Sequence, residues 1–440
     1  MTNRREFIRN TTAAAAMAAA GALAPSTLLS STESGKPVRL GFVGVGSRGS
    51  YLLRTALDIG GVEIVALCDI DAENLARAQR RVERRGMPTP AAYGNGPEDY
   101  RRMVESEQLD AVVNATPMEL HTPVMVAAME AGCHGATEVP VAINEDECWQ
   151  LVETAERTGR QCMMLENYCY FRNVTMVLNM VSAGLFGDLV HCETGYQHDT
   201  RYVVFGPEGE MLWRANHKLT RNGNLYPTHS LGPAAWWLGI GRGDRFDHMV
   251  SMSSAGGLGL RHYAAEKFGA DHPTAHHNYS QGDINTTLIR TANGKTITLY
   301  YDTMLPRPFQ MIYRLQGTKG IYSGDMDKVF FEGLSPEAHK WEEADKYATQ
   351  YDHPMWRTLG DKAKGYSHGG GDYMMIYQFL AAIRSGVPTP IDVYDSVAWS
   401  VISPLSEKSV AARSRTVDIP DFSRGKWKEV RELTFPGIKI

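Results

Sequence analysis

The sequence predicts an α/β protein built in two folded parts: an N-terminal domain of alternating strands and helices, then an α+β domain with a mixed or predominantly antiparallel sheet. Three observations carry that prediction. Short apolar runs at Val38–Val43, Val62–Cys68 and residues 109–117 alternate with helix-like segments, the pattern of a buried parallel sheet. A glycine pattern, Gly44-Val45-Gly46-Ser47-Arg48-Gly49, falls where the first strand gives way to a helix. Beyond residue 189, the strand-like segments 283–290 and 295–301 flank the turn signal Ala292-Asn293-Gly294.

Length and composition set the outer limits. The 440 residues allow two or three domains, and 43% hydrophobic with 22% charged residues is ordinary for a globular protein. A formal net charge of −5 supplies no drive toward nucleic acid, so no nucleic-acid partner is expected. Arg4-Arg5-Glu6-Phe7-Ile8 precedes an alanine-rich run over 13–24, and a basic start, a modest apolar run and small residues make an export signal. Its twin arginines resemble the signal read by the twin-arginine export machinery, which moves folded proteins. Residues 1–36 are therefore expected to be signal and linker, and the mature protein to reside in a bacterial periplasm. The run is too short for a permanent membrane span. Six cysteines in so long a chain do not make a disulfide framework and are expected to be mostly free.

Residues 37–165 read as a Rossmann domain that binds a nicotinamide dinucleotide. A strand ending in Gly44, Gly46 and Gly49 lets backbone N–H groups approach a pyrophosphate, while the helix N-terminus favours its charge. Ser47 and Arg48 belong to the same turn. The second strand ends at Asp69, twenty residues after Gly49, where a carboxylate accepts hydrogen bonds from an adenosine ribose and disfavours the extra phosphate of NADP. Asp71 reads instead as the start of a helix over 75–85. Asn114, Thr116 and Pro117, at the end of the strand in 109–117, are candidate cofactor-edge residues, with an ordinary strand-to-turn junction as the competing reading. His121 opens the next helix and is either near the cofactor or a satisfied core histidine. Glu138, on the segment 134–140, approaches the same cleft.

A domain boundary near residue 165 leaves 166–440 for substrate binding and oligomerisation, with the C-terminal helices free to return to the first domain. Glu166, Asn167 and Tyr168 line either the nicotinamide and substrate side or a packed strand end. His198, beside Asp199, is a candidate substrate contact or a simple hydrogen-bonding group. Asn224-Leu225-Tyr226-Pro227-Thr228-His229 is chemically unusual: Tyr226 and His229 enter one helix start, and both groups exchange protons or bind sugar hydroxyls. The competing reading is a packed helix start. His272, His276 and His277 lack the spacing of a zinc motif and a carboxylate partner, so no metal is expected. His368 and Asp372 in His368-Gly369-Gly370-Gly371-Asp372 are sugar-binding candidates, or Asp372 caps the helix over 373–384. A further helix is expected over 394–412.

On the glycine motif, residues 224–229, residues 368–372 and Ile391-Asp392-Val393-Tyr394-Asp395, the chain resembles the Gfo/Idh/MocA oxidoreductase superfamily. Within it, the chain most resembles the NAD-dependent glycoside hydrolases of family 109. The resemblance runs from Val38 to about residue 430. The sugar dehydrogenases of that superfamily often carry Glu-Lys-Pro where this chain has Glu138-Val139-Pro140. Their Asp-x-Gly-x-His pattern has Leu225 in place of the Asp and Thr228 before the retained His229. The resemblance implies tightly bound, recycled NAD+ and a terminal N-acetylgalactosaminide substrate, with an alpha linkage preferred. It also implies C3 oxidation, C2 deprotonation, elimination of the aglycone, water addition and re-reduction. Tyr226 and His229 lead as proton-transfer or C3-hydroxyl residues; Glu138, Tyr168 and His198 follow. The alternatives are a net NAD-dependent sugar dehydrogenase and a noncatalytic carbohydrate or NAD-sensing module. A homo-oligomer through the C-terminal sheet is a further expectation.

Overall fold

A computed structural model describes residues 35–438; the twin-arginine segment lies outside the described residues. The first layer is built from β1 (Val38–Val43), α1 (Ser47–Ile59), β2 (Val62–Cys68), α2 (Ala72–Glu83), β3 (Ala91–Tyr93), α3 (Asp99–Ser106), β4 (Ala111–Asn114), α4 (His121–Glu130), β5 (His134–Thr137), α5 (Glu145–Thr158) and β6 (Cys162–Met164). Its six strands run parallel in the order β3-β2-β1-β4-β5-β6. The order reverses between β1 and β4, and the crevice beyond the strand ends at such a reversal is where open α/β sheets bind ligands. Helix starts follow local chemistry. Asp71 accepts the Glu73 and Asn74 N–H groups at 2.8 and 3.0 Å, and Asn144 accepts that of Glu147 at 2.9 Å.

The second part contains α6 (Arg172–Ser182), β7 (Leu189–Gln197), α7 (Trp213–Thr220), α8 (Thr228–Leu238), β8 (Phe246–Ser253), α9 (Leu258–Phe268), β9 (Ile284–Thr291), β10 (Thr296–Asp302), β11 (Gln310–Gly317), β12 (Gly320–Ser323), β13 (Lys328–Phe331) and β14 (Glu342–Glu343). Then come α10 (Ala348–Tyr351), α11 (Pro354–Ala363), α12 (Gly371–Ser385), α13 (Val393–Ser400), α14 (Ile402–Ala411) and β15 (Val417–Asp418). Nine strands form one sheet in the order β14-β13-β12-β11-β7-β10-β9-β8-β15. Only β7 and β10 pair in parallel, so the sheet is mixed and mostly antiparallel.

The helix expected over 394–412 is two helices that meet at Val401, the first opened by reciprocal Asp392 and Asp395 caps. Ser396 and Ser400 on α13 accept the backbone N–H groups of Met164 and Val141, each at 3.0 Å, and so fasten this helix to the strand ends of the first sheet. β8 carries too many polar residues to read as a strand from sequence. It is held by β9 on one side and by the Ser409 hydroxyl of α14, which accepts the Ser251 N–H at 2.8 Å. All six cysteines are buried and free.

Candidate active site

The glycine turn explains itself sterically. A side chain on Gly49 would place Cβ 1.8 Å from the Gly44 carbonyl oxygen. Gly44 itself has φ +77° and would meet the Ala115 backbone at 2.8 Å. Gly46 differs: its φ is −64°, and the nearest atom to an added Cβ is Asn74 Nδ2 at 3.5 Å. α1 starts without a side-chain cap and without an acidic residue in its first turn, so its N-terminal dipole stays available to an anion. Asp69 accepts the Val45 N–H at 2.7 Å and the Asp71 N–H at 2.9 Å, which ties the end of β2 to the glycine turn. These features fit a dinucleotide pyrophosphate with its ribose on Asp69.

Around the turn, the other cofactor candidates separate by role. Asn114 is fully buried; its Nδ2 donates to Thr137 Oγ1 at 3.1 Å and its Oδ1 accepts the Thr116 hydroxyl at 2.9 Å, so it sets the β4 exit from below. Thr116 stays half-buried at the cleft. His121 lies 2.6 Å from the Pro140 carbonyl and 2.9 Å from that of Thr116, which makes it a brace between two loops rather than a group presented to the cleft. Burial holds its pKa below the ordinary histidine value.

Arg48 joins the two domains. Its Nε donates to Glu138 Oε1 at 2.7 Å, and its two terminal nitrogens donate to Asp372 at 3.0 and 2.8 Å. Asp372 is fully buried, also accepts from Asn167 Nδ2 at 2.9 Å, and lies 2.8 Å from His368 Nδ1. Burial works against both charges. The Glu138 and Asp372 carboxylates outweigh it at Arg48, and His368 and Arg48 outweigh it at Asp372, so the guanidinium is held charged and the carboxyl well below the usual range.

Tyr168, His198, Tyr226 and His229 come together beside this network. The His229 ring lies 4.2 Å from Tyr168, 4.9 Å from Tyr226 and 5.3 Å from Tyr196, centroid to centroid. Tyr226 ends the turn that starts α8 and His229 occupies its first helical turn, so spacing of three residues puts both on one side. His229 Nδ1 is 2.7 Å from Glu166 Oε1, and Tyr196 Oη is 3.0 Å from His198 Nδ1. Burial pushes Tyr168, Tyr196 and Tyr226 well above the ordinary phenol pKa, so all three keep their protons at neutral pH. Burial lowers that of His198.

Sequence reasoning left Tyr196 out, although strand alternation along β7 places it on the face of Thr194 and Cys192, both buried. The sequence offers His368 only as a sugar-binding candidate. It stands at φ +53°, followed by Gly369 and Gly370 also in the left-handed region, with its ring 6.0 Å from Tyr168. Phe309, 5.0 Å from the His198 ring, had no local signal. Neither had Arg214, whose charge acts on Tyr196 and Tyr226. Among the described residues, no group of three side chains could hold a metal ion.

Residues 38–166 match the oxidoreductase family with an NAD-binding Rossmann fold, and residues 170–429 match the glycosyl hydrolase 109 C-terminal domain. The chain belongs to glycosyl hydrolase family 109. This family-109 chain is 41% identical to a glycosyl hydrolase family 109 protein of Shewanella pealeana, over 99% of each chain. It is also 41% identical to the alpha-N-acetylgalactosaminidase of Tannerella forsythia, over 96% of this chain and 97% of that one. A levoglucosan dehydrogenase solved with NADH and levoglucosan shares the fold, with a TM-score of 0.69 and 20% identity over 88% of the family-109 chain and 100% of its own. The cofactor of the first domain, an NAD-binding Rossmann fold by its family, is NAD(H).

Proposed function

We propose that the protein is a glycosidase that releases terminal N-acetylgalactosamine, alpha-linked by preference, with hydride lent to the cofactor and then returned. When bound, NAD(H) supplies reversible hydride exchange with a sugar carbon. Gly44, Gly46, Ser47, Arg48, Gly49 and Asp69 would hold it, with Asn114, Thr116 and Asn167 shaping the floor beside it. The observation that carries the reading is the convergence of His229, Tyr168, Tyr196 and Tyr226 next to the Arg48–Glu138 pair at the glycine turn. Tyr226, protonated at neutral pH, donates its hydroxyl hydrogen bond to a sugar oxygen, and His229 takes and returns a proton through Nε2. The aromatic rings around them exclude water from the place where the C2 proton leaves.

Net oxidation is the second reading, favoured by the fold held in common with a levoglucosan dehydrogenase, because every group named above also serves simple removal of hydride from a sugar alcohol. A terminal N-acetylgalactosaminide labelled with deuterium at C2 separates the two. Release of sugar with loss of label and no stoichiometric NADH supports the glycosidase. NADH that accumulates without bond cleavage establishes the dehydrogenase, and cleavage with the label fully retained defeats the elimination route.

We further propose that the chain leaves the cytoplasm folded and loaded with cofactor, through twin-arginine export to a periplasm. Lysine at both Arg4 and Arg5 should leave the protein in the cytoplasmic fraction. For self-association, Met252 on β8 and Leu288 on β9 are exposed on one face of the second sheet. Aspartate at both positions should reduce the mass measured by light scattering if that face joins two copies.

A further inference from the structure

We infer that Glu166 is a positioning residue that fixes the tautomer of His229 and stores the charge formed when that ring takes a second proton. The inference rests on the proposed role of His229 as the proton-transfer group.

Glu166 stands at the end of β6, immediately before a single helical turn over Asn167–Tyr170, and is fully buried. A carboxylate only accepts, so the 2.7 Å contact between its Oε1 and His229 Nδ1 requires the ring proton on Nδ1. Oε1 also accepts the Tyr168 N–H at 3.1 Å, which pins the carboxylate to the backbone that carries the stacked Tyr168 ring. Oε2 is buried and has no partner among the described residues. The surroundings leave it little freedom, since Gly232 on α8 packs so closely that an added Cβ would come within 3.0 Å of Glu166 Cγ. On the other side of the ring, Nε2 makes no hydrogen bond among the described residues, and the rings of Tyr168, Tyr196 and Tyr226 surround the imidazole at 4.2, 5.3 and 4.9 Å, centroid to centroid.

This geometry has two chemical consequences. With the proton held on Nδ1, the Nε2 lone pair is always the one offered to substrate, so no fraction of the enzyme waits in the wrong tautomer. When Nε2 accepts a proton, the positive ring lies against a carboxylate that has no other charged partner among the described residues, and the pair becomes a buried ion pair instead of an isolated buried anion. Glu166 therefore favours both orientation and proton uptake. Neither the glycine turn nor the Arg48 network can supply this, because their carboxylates, Glu138 and Asp372, are already engaged by the guanidinium.

Glu166→Gln separates position from charge at nearly constant volume. Its amide can turn its NH2 toward Nδ1, which drives the ring proton to Nε2. In the full chain with its cofactor, nitrogen-15 spectra of selectively labelled histidine should show His229 in the Nδ1–H form in the parent protein. In the variant they should show a shift toward Nε2–H. On a cleaved glycoside, kcat should fall by about 100-fold or more while KM changes by less than about threefold and bound nicotinamide is retained. Glu166→Asp, which keeps the charge but draws it back, should recover part of the kcat loss. An unchanged tautomer in Glu166→Gln would overturn the inference whatever the substrate proves to be. An altered tautomer with undiminished turnover would instead remove His229 from the proposed reaction.

Discussion

Arg48 and Asp372, 324 positions apart in sequence, share two hydrogen bonds of 3.0 and 2.8 Å and thereby couple the cofactor turn to the first turn of α12. Asp372 has no access to solvent, and Asn167 and His368 depend on it as well. Asp372→Ala should therefore lower the unfolding free energy by about 3 kcal/mol or more, because Arg48 keeps only Glu138 and two polar side chains lose their acceptor. Asp372→Asn keeps one acceptor and should cost less. Urea unfolding of both variants measures the order, and equal stability of Asp372→Ala and the parent would show that solvent replaces the carboxylate without penalty.

Acid sensitivity should follow from two buried histidines. Burial, with Arg160 near one and Arg357 near the other, lowers both His134 and His353 to about 4. The unfolded chain takes up protons near pH 6.5, about 2.5 units above the folded values, so between those limits it binds protons that the native state refuses. This contribution to stability is complete above about pH 6.5 and is lost as pH falls toward 4, at about 1.4 kcal/mol per pH unit for each ring. Asp372, held below the usual carboxyl range, adds a loss in the same direction below about pH 4. His353→Asn retains a side-chain acceptor for the Met355 N–H and should remove one proton from the slope between pH 6.5 and 4.5. A slope identical to the parent would exclude His353 as a source.

How far the sequence could be read depends on whether the signal was local. The parallel layer was legible because β1 and β2 are short apolar runs buried on both faces, and because Gly44, Gly49 and Asp71 act on atoms a few residues away. Tyr226 and His229 were legible for the same reason, as neighbours across one helix start. The pairing of His229 with Glu166 was not, since Glu166 lies 63 residues earlier, just past the end of β6 in the other sheet layer. Asp372 was expected either to bind sugar or to cap α12. It spends its lone pairs on Arg48, Asn167 and His368, a choice set by how α12 packs beside α1.

Tyr226→Phe and His229→Ala should slow the chemical step by about 100-fold to 10,000-fold. Both side chains meet in the ring cluster, and neither touches the glycine turn. Bound nicotinamide per chain should consequently stay at the parent level, and the loss should appear in kcat. Because burial keeps the Tyr226 phenol protonated, its contribution should show no alkaline inflection below about pH 10. Turnover at saturating substrate indistinguishable from the parent would take both residues out of the reaction.

Gly46 and Gly49 should respond to the same substitution in opposite ways. Gly49→Ala would drive a methyl group to 1.8 Å from the Gly44 carbonyl, so the turn has to open and stability should fall by about 1–3 kcal/mol. Gly46→Ala meets nothing closer than 3.5 Å at an ordinary negative φ, so the cofactor-free fold should unfold at the parent's denaturant midpoint. What Gly46 protects is the close approach of an anion to the α1 N-terminus, which a methyl group obstructs. NAD+ affinity of Gly46→Ala, measured by calorimetry on stripped protein, should drop by about tenfold or more. Parent-like affinity would mean that the pyrophosphate does not lie over this turn, and the roles given to Ser47, Arg48 and Asp69 would fall with it.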